Sequence, residues 1–200
     1  PMNVLAINGA YRTDGATDQL LATVAQTLQR GGATVETVVL RDRDIAFCLN
    51  CRACMQRPGE QPGECVLRDD MQEIVTRIEA CDALVLASPT NAGSATALFK
   101  CFMERLSVYG YWPWGKAAPA FRKARTANKP AVLISTCGAP GFLGKWFFST
   151  NGQLAKTAGT LGAKVRGSLS SGLHAAKPTV SLSAAQTAAA ERLARRLLRA

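Results

Sequence analysis

Four of the seven cysteines stand in one short segment, Phe47 to Met71. Cys48, Cys51 and Cys54 follow a C-x2-C-x2-C spacing, and Cys65 comes after a ten-residue gap rich in Pro and Gly. Cysteines three apart bring successive thiolates to one side of a tight turn, as an iron–sulfur cluster requires. A zinc ion takes the same ligands, although structural zinc more often joins two well-separated Cys pairs. The plainest reading is a set of small buried residues with weak S–H donors. Spacing alone leaves all three open. Cys81 and Cys101 fall in apolar helical contexts, where core packing is expected, and Cys137 sits in a glycine-bearing loop.

A second chemistry is carried by three glycine-bearing loops, each starting where an apolar strand pattern ends: Gly9 to Thr17, Pro89 to Ser94, and Thr136 to Gly141. The first holds Arg12 and Thr17 at the start of a helix, where free N–H groups and the helix dipole suit a phosphate. The other two lack charged side chains and offer backbone groups on tight turns, which suits a flat, polar, nearly neutral ring. The sole histidine, His174, lies past the last strand and reads as a surface or loop-supporting residue, with a role near the bound ring as the alternative.

The elements that must hold these loops are legible in the periodicity. Met2 to Asn8 reads as a buried strand, then Ala16 to Arg30 as a helix with Leu20, Leu21, Val24 and Leu28 on one face. Asp14 or Thr13 is expected to cap that helix and Gly31-Gly32 to end it. Val35 to Leu40 is a second strand. Asp69-Asp70 are expected to cap a helix bearing Met71, Ile74, Val75 and Ile78. Ala83 to Ala87 is a continuous apolar run, as in a central strand covered on both faces, and Ser94 is expected to cap a helix to about Arg105. An aromatic stretch, Tyr109 to Trp114, and a basic connector lead to a fourth strand, Ala131 to Ile134. A helix over about 145–160, a fifth strand near Ala163 to Leu169 and a helix capped by Ser183 complete the chain. Strands alternating with helices predict one doubly wound α/β domain over 1–200 with a parallel sheet. A cysteine-rich loop spans 47–68 and an aromatic and basic insertion spans 108–129. In such a sheet a ligand lies beyond the carboxyl ends of the strands, where strand order reverses.

Composition narrows the class. The chain has 200 residues, 48% hydrophobic and 19% charged, an ordinary globular mixture. No secretory signal or membrane span is read near the start, and the odd number of cysteines argues against a disulfide framework, so a cytoplasmic protein with reduced thiols and no membrane partner is expected. The net charge of +10 invites a nucleic-acid reading. The basic residues are scattered, however, and the densest group (Arg192, Arg195, Arg196, Arg199) lies on an Ala- and Leu-rich helix without a nucleic-acid motif. A solvated basic surface that attracts an anionic cofactor is expected instead.

Taken together, these motifs resemble the NADPH-dependent FMN reductase family of flavodoxin-like proteins, and in particular its iron–sulfur flavoprotein branch. The resemblance rests on Asn8-Gly-Ala-Tyr-Arg12 with Thr17, on C-x2-C-x2-C followed by Gly63-Glu-Cys65 and Asp69-Asp70-Met71, and on Ser88-Pro89, Gly93, Leu98, Lys100 and Glu104-Arg105. It covers roughly residues 2–140. It implies a three-layer flavodoxin-like sandwich with a five-stranded parallel sheet in the order 2-1-3-4-5, and FMN as cofactor. By position, Arg12 and Thr17, with the backbone of Ala10, Ala16 and Asp18, would hold the phosphate. Pro89, Thr90, Asn91, Ala92 and Gly93, with Thr136, Cys137 and Gly138, would border the flavin ring. Ala10 and Ala16 stand where relatives usually carry polar residues. The family reading leads to an FMN-dependent NAD(P)H oxidoreductase whose flavin carries the chemistry, passing electrons to a quinone, a free flavin or another small acceptor.

Two other readings accompany it. In one, Cys48, Cys51, Cys54 and Cys65 hold a [4Fe–4S] cluster that exchanges electrons with a ferredoxin-like partner. The gap before Cys65 is longer than that branch usually has, but loop-closure entropy grows only logarithmically with length. In the other, more distant, the cysteines hold zinc in a nucleic-acid-binding module. Trp112 and Trp114 are expected to cover the flavin, to pack against another subunit of a homo-dimer or homo-tetramer, or to form ordinary local core.

Overall fold

The computed structural model describes residues 1–123, 128–175 and 179–200, without the side chains of residues 145 and 146. The first strand, β1 (Asn3–Asn8), pairs in parallel with β2 (Thr34–Val39) on one side and with β3 (Ala83–Asn91) on the other. Beyond β3 lie β4 (Lys129–Thr136) and β5 (Ala163–Ser171), also parallel, so the sheet runs β2-β1-β3-β4-β5. This is the expected order, and the chain reverses direction across the sheet between β1 and β3.

Side-chain alternation divides the core into two layers. Val4, Ala6, Val85, Ala87, Val132 and Ile134 point to one face, under α1 (Ala16–Arg30) and α6 (Ala184–Leu198). Leu5, Ile7, Leu84, Leu86, Ala131 and Leu133 point to the other, under α2 (Met71–Ala80), α3 (Ala97–Arg105) and α5 (Thr150–Thr160). Because both faces are covered, the central strands are apolar without alternation. Each buried Leu, Ile, Val or Phe contributes roughly 1.5–3 kcal/mol by leaving water. The predicted apolar face of α1 is buried, and Ser183 caps α6 in a reciprocal box with Gln186.

Several boundaries differ from expectation, each for a local reason. Gly15, not Asp14 or Thr13, occupies the N-cap of α1 without a side-chain bond. Ser94 does not cap α3. It returns in a two-residue antiparallel strand, Ser94–Ala95, against Thr90 and Asn91. Ala92 and Gly93 form the turn with φ of 48° and 76°, the left-handed pair of a tight hairpin. Thr96 takes over the cap by accepting from Phe99 N–H. The helix expected over 145–160 is two helices, α4 (Gly141–Phe147) and α5, because Ser149 N–H turns away to the Gly93 carbonyl at 2.9 Å. The aromatic stretch forms a short hairpin of Gly110–Tyr111 with Ala120–Phe121. Residues 124–127 of the expected basic connector lie outside the described residues.

Candidate functional site

Two structures stand out: a crevice built by three strand ends at the carboxyl end of the sheet, and a cysteine loop held by Arg105 at the end of α3 and by Arg122.

The crevice begins at Asn8, the last residue of β1. Its side chain accepts from Ala10 N–H at 3.0 Å and donates to Asp18 at 2.6 Å, folding the first loop back on α1. Asp18 also accepts from Asp14 N–H at 3.1 Å and pairs with Arg41 at 3.0 Å. Arg41 in turn donates to the Ala10 carbonyl at 3.1 Å. The pair offsets a carboxylate that would otherwise repel an anion at the helix N-terminus. Thr96 Oγ1 donates to the Gly9 carbonyl at 2.7 Å, and Gly9 lies so close to Phe99 that a Cβ there would stand 2.9 Å from its side chain. Thr17 Oγ1 and Thr136 Oγ1, both buried, share a hydrogen bond of 2.8 Å that ties the first loop to the end of β4. With no side chain on the cap of α1, its first N–H groups remain for another acceptor.

These contacts leave a cavity of about 270 Å³. Of the residues expected there, Ala10, Arg12, Ala16, Thr17, Pro89, Thr90, Asn91, Thr136, Cys137 and Gly138 line it. Asp18, Ala92 and Gly93 do not: Asp18 is turned into its bracing contacts, and the other two form the hairpin turn beyond the wall. Tyr11, Gly15, His174, Ala175 and Val180 line it as well. His174 is therefore a wall of the crevice rather than a surface residue. Its Nε2 lies 2.8 Å from Ser171 Oγ, and burial lowers its pKa. Burial pushes the Cys137 thiol up, its Sγ donating to the Ala139 carbonyl at 3.2 Å. One signal would have found His174 and Arg41: both follow strands at the carboxyl end of the sheet, where the other site residues were sought.

In the cysteine loop, Cys48, Cys51, Cys54 and Cys65 all line one small cavity of about 30 Å³. Burial first, then the neighbouring Cys65, Cys48 and Cys51, push the Cys54 thiol up to about 11. Among the described residues, no three His, Cys, Asp or Glu side chains are grouped closely enough to hold a metal ion as placed. Side chains from other elements hold this loop. Arg105, almost fully buried, donates to the Ala46 carbonyl at 2.8 Å, pairs with Asp69, and approaches Cys65 Sγ at 3.7 Å. Asp70 stands at the N-cap of α2 without a side-chain bond to the helix, and Asp69 accepts from Met71 N–H at 3.1 Å; both also hold the loop, Asp69 accepting from Ala46 N–H and Asp70 from Asp44 N–H. Arg122 is buried and donates to the carbonyls of Cys54, Arg57, Gly59 and Val108 at 3.0–3.1 Å. A Cβ on Gly63 would lie 1.8 Å from the Cys54 carbonyl, so the chain between Cys54 and Cys65 closes only with glycine there.

The aromatic stretch serves this loop and not the crevice. The Arg52 guanidinium carbon lies 3.9 Å from the Trp112 ring centre and 4.4 Å from that of Trp114, and its Nη2 donates to the Trp112 carbonyl at 2.5 Å. The two indoles clamp a residue standing between Cys51 and Cys54. Cys81 is buried as expected, whereas Cys101 is half-buried beneath the loop, its Sγ facing the Ile45 carbonyl at 3.5 Å.

A family model described as NADPH-dependent FMN reductase matches residues 2–145. An iron–sulfur flavoprotein of Archaeoglobus fulgidus is 35% identical over 112 residues, which cover 56% of this chain and 49% of that protein. The chain thus spans about half the length of the curated relatives it matches. A solved flavone reductase superposes with a TM-score of 0.66 at 19% identity, covering 99% of this chain and 62% of its own. A flavodoxin from the domain Archaea gives 0.56 at 10% identity, covering 99% and 97%. At these identities the two structures show the fold, which is flavodoxin-like.

Proposed function

The chain belongs to the NADPH-dependent FMN reductase family, and from that premise we propose that it binds FMN in the crevice and acts as a flavin-dependent NAD(P)H oxidoreductase. One observation carries the proposal: loops from β1, β3 and β4, chosen from sequence for phosphate and ring recognition, line a single cavity at the switch point of the sheet. The first N–H groups of α1, with Arg12 and Thr17, form the anion-binding end. The Pro89–Asn91 and Thr136–Gly138 segments add walls without charged side chains. FMN, when bound, supplies the redox chemistry: hydride acceptance from a nicotinamide and onward electron transfer to a small acceptor. The chain's own work is to bind the phosphate, orient the ring and keep Asp18 paired with Arg41 so that no bare carboxylate faces the anion. The test is titration of the protein into FMN, followed by flavin fluorescence, and then anaerobic addition of NADPH. Quenching and bleaching of the flavin bands are expected. Unquenched fluorescence at excess protein would sink the proposal.

A second reading, compatible with the first, is favoured by the convergence of Cys48, Cys51, Cys54 and Cys65 on one cavity. Four cysteines on one cavity match the ligand number of a cluster that spreads its ligands over separate iron atoms. A single tetrahedral zinc ion would need every sulfur at about 2.3 Å. Arg105 near Cys65, and Arg122 at the Cys54 backbone, supply positive charge beside those cysteines. A ferredoxin-like partner, or a small acceptor, would then exchange electrons with the loaded protein as a homo-oligomer. Iron and acid-labile sulfide in anaerobically purified protein, both lost in Cys51→Ala, support this reading. Zinc in their place would replace it.

A further inference from the structure

His174 is the one imidazole in the chain, and its hydrogen bonds decide which nitrogen carries the proton. Ser183 N–H can only donate, and it donates to Gln186 Oε1 at 2.8 Å. That fixes the orientation of the Gln186 amide, whose Nε2 must then donate to Ser171 Oγ at 3.1 Å. That hydroxyl still holds its own proton and a second lone pair, and His174 Nε2 lies 2.8 Å from it. A Ser171 proton directed at Nε2 makes that nitrogen the acceptor and the ring the neutral Nδ1–H tautomer. Burial, which disfavours the charged ring, agrees. Among the described residues Nδ1 has no hydrogen-bond partner, and His174 lines the crevice beside Cys137, whose carbonyl receives the His174 backbone N–H at 3.4 Å.

We propose that His174 contacts the cofactor: held as the Nδ1–H tautomer by Ser171 and Gln186, it donates that N–H to an acceptor atom of the flavin bound in the crevice. The inference rests on the FMN reading above. It makes Gln186 a positioning residue that acts through Ser171 from a helix cap.

Because there is a single histidine, imidazole nitrogen NMR of the labelled protein reads its tautomer without assignment. At neutral pH the wild type should show a protonated Nδ1 and a bare Nε2, and added FMN should shift the Nδ1 signal. Gln186→Glu is the discriminating variant. A glutamate keeps the capping box with Ser183, so the thermal midpoint should hold. As a carboxylate it accepts from Ser171 instead of donating, which moves the histidine proton to Nε2. The dissociation constant for FMN should then rise about tenfold, the weight of one hydrogen bond. His174→Ala should weaken FMN to a similar extent, and the double variant should be no weaker than His174→Ala alone. A wild-type Nε2–H tautomer, an Nδ1 signal indifferent to FMN that does bind, or additive losses in the double variant would each overturn the proposal. Failure of the wild type to bind FMN would overturn the reading of the crevice itself, and this inference with it.

Discussion

Arg105 and Asp69 form a buried ion pair, with side chains 1% and 5% exposed, and its geometry is shared with the backbone of the cysteine loop. Removing one partner leaves the other charge stranded, so Arg105→Ala is expected to destabilise the protein by about 3–5 kcal/mol in chemical denaturation. Burial works to raise the Asp69 pKa, but hydrogen bonds from Arg105 and from Ala46 and Met71 N–H, with the guanidinium charge, bring it below the ordinary value. The folded pKa lies under the unfolded one. The contribution is therefore complete above the ordinary aspartate value of about 3.9 and is lost as pH falls through the folded value. Wild-type stability should decline in that acid window, and Asp69→Asn should flatten the decline. At the crevice, Thr17→Val leaves the buried Thr136 hydroxyl without its partner. A loss of about 1–3 kcal/mol of stability is expected, together with weaker FMN binding.

Among the elements, the cysteine loop is the one whose shape comes from outside itself. No regular strand or long helix spans it, and its carbonyls are gathered by Arg122 from beyond the aromatic hairpin, while Arg52 is held between two indoles. Arg122 has no carboxylate within ion-pair distance among the described residues, so four carbonyl dipoles are its compensation. Arg122→Ala should release the stretch from Cys54 to Gly63. Limited digestion with a glutamate-specific protease is expected to cut after Glu60 several-fold faster than in the wild type, with FMN binding unchanged, since the crevice is built by other loops. Equal cutting rates would mean that the loop holds its own shape.

For the molecule as a whole, a ligand that binds only the folded state adds its binding free energy to stability. FMN at one hundred times its dissociation constant should add about 2.7 kcal/mol and raise the thermal midpoint by roughly 5–10 °C. The charge of +10 should make FMN association salt-sensitive, since unpaired surface cations are screened over about 8 Å at physiological ionic strength. Part of that charge is internally matched: Glu191 faces both Arg30 and Arg195 on the outer helices. No helix among the described residues is long and apolar enough to cross a membrane.

What the sequence determined by itself was whatever depends on local order along the chain. Strand and helix faces followed from apolar period, the sheet order from the resemblance, and the three binding loops from glycine-bearing turns at strand ends. Even the Ser183 cap was legible, because a cap is a contact over three residues. The tertiary structure decided what depends on groups far apart in sequence. It turned Ser94 into a hairpin strand and divided one expected helix in two, because Gly93 and Ser149 meet across 56 residues. It set Trp112 and Trp114 around Arg52, apart from the residues that line the crevice. It placed His174 in the crevice, hydrogen-bonded to Ser171, which Gln186 of the α6 cap also contacts. Periodicity and spacing report on a residue's neighbours along the chain. Which hydroxyl, carbonyl or ring it meets in space is set only when the layers pack.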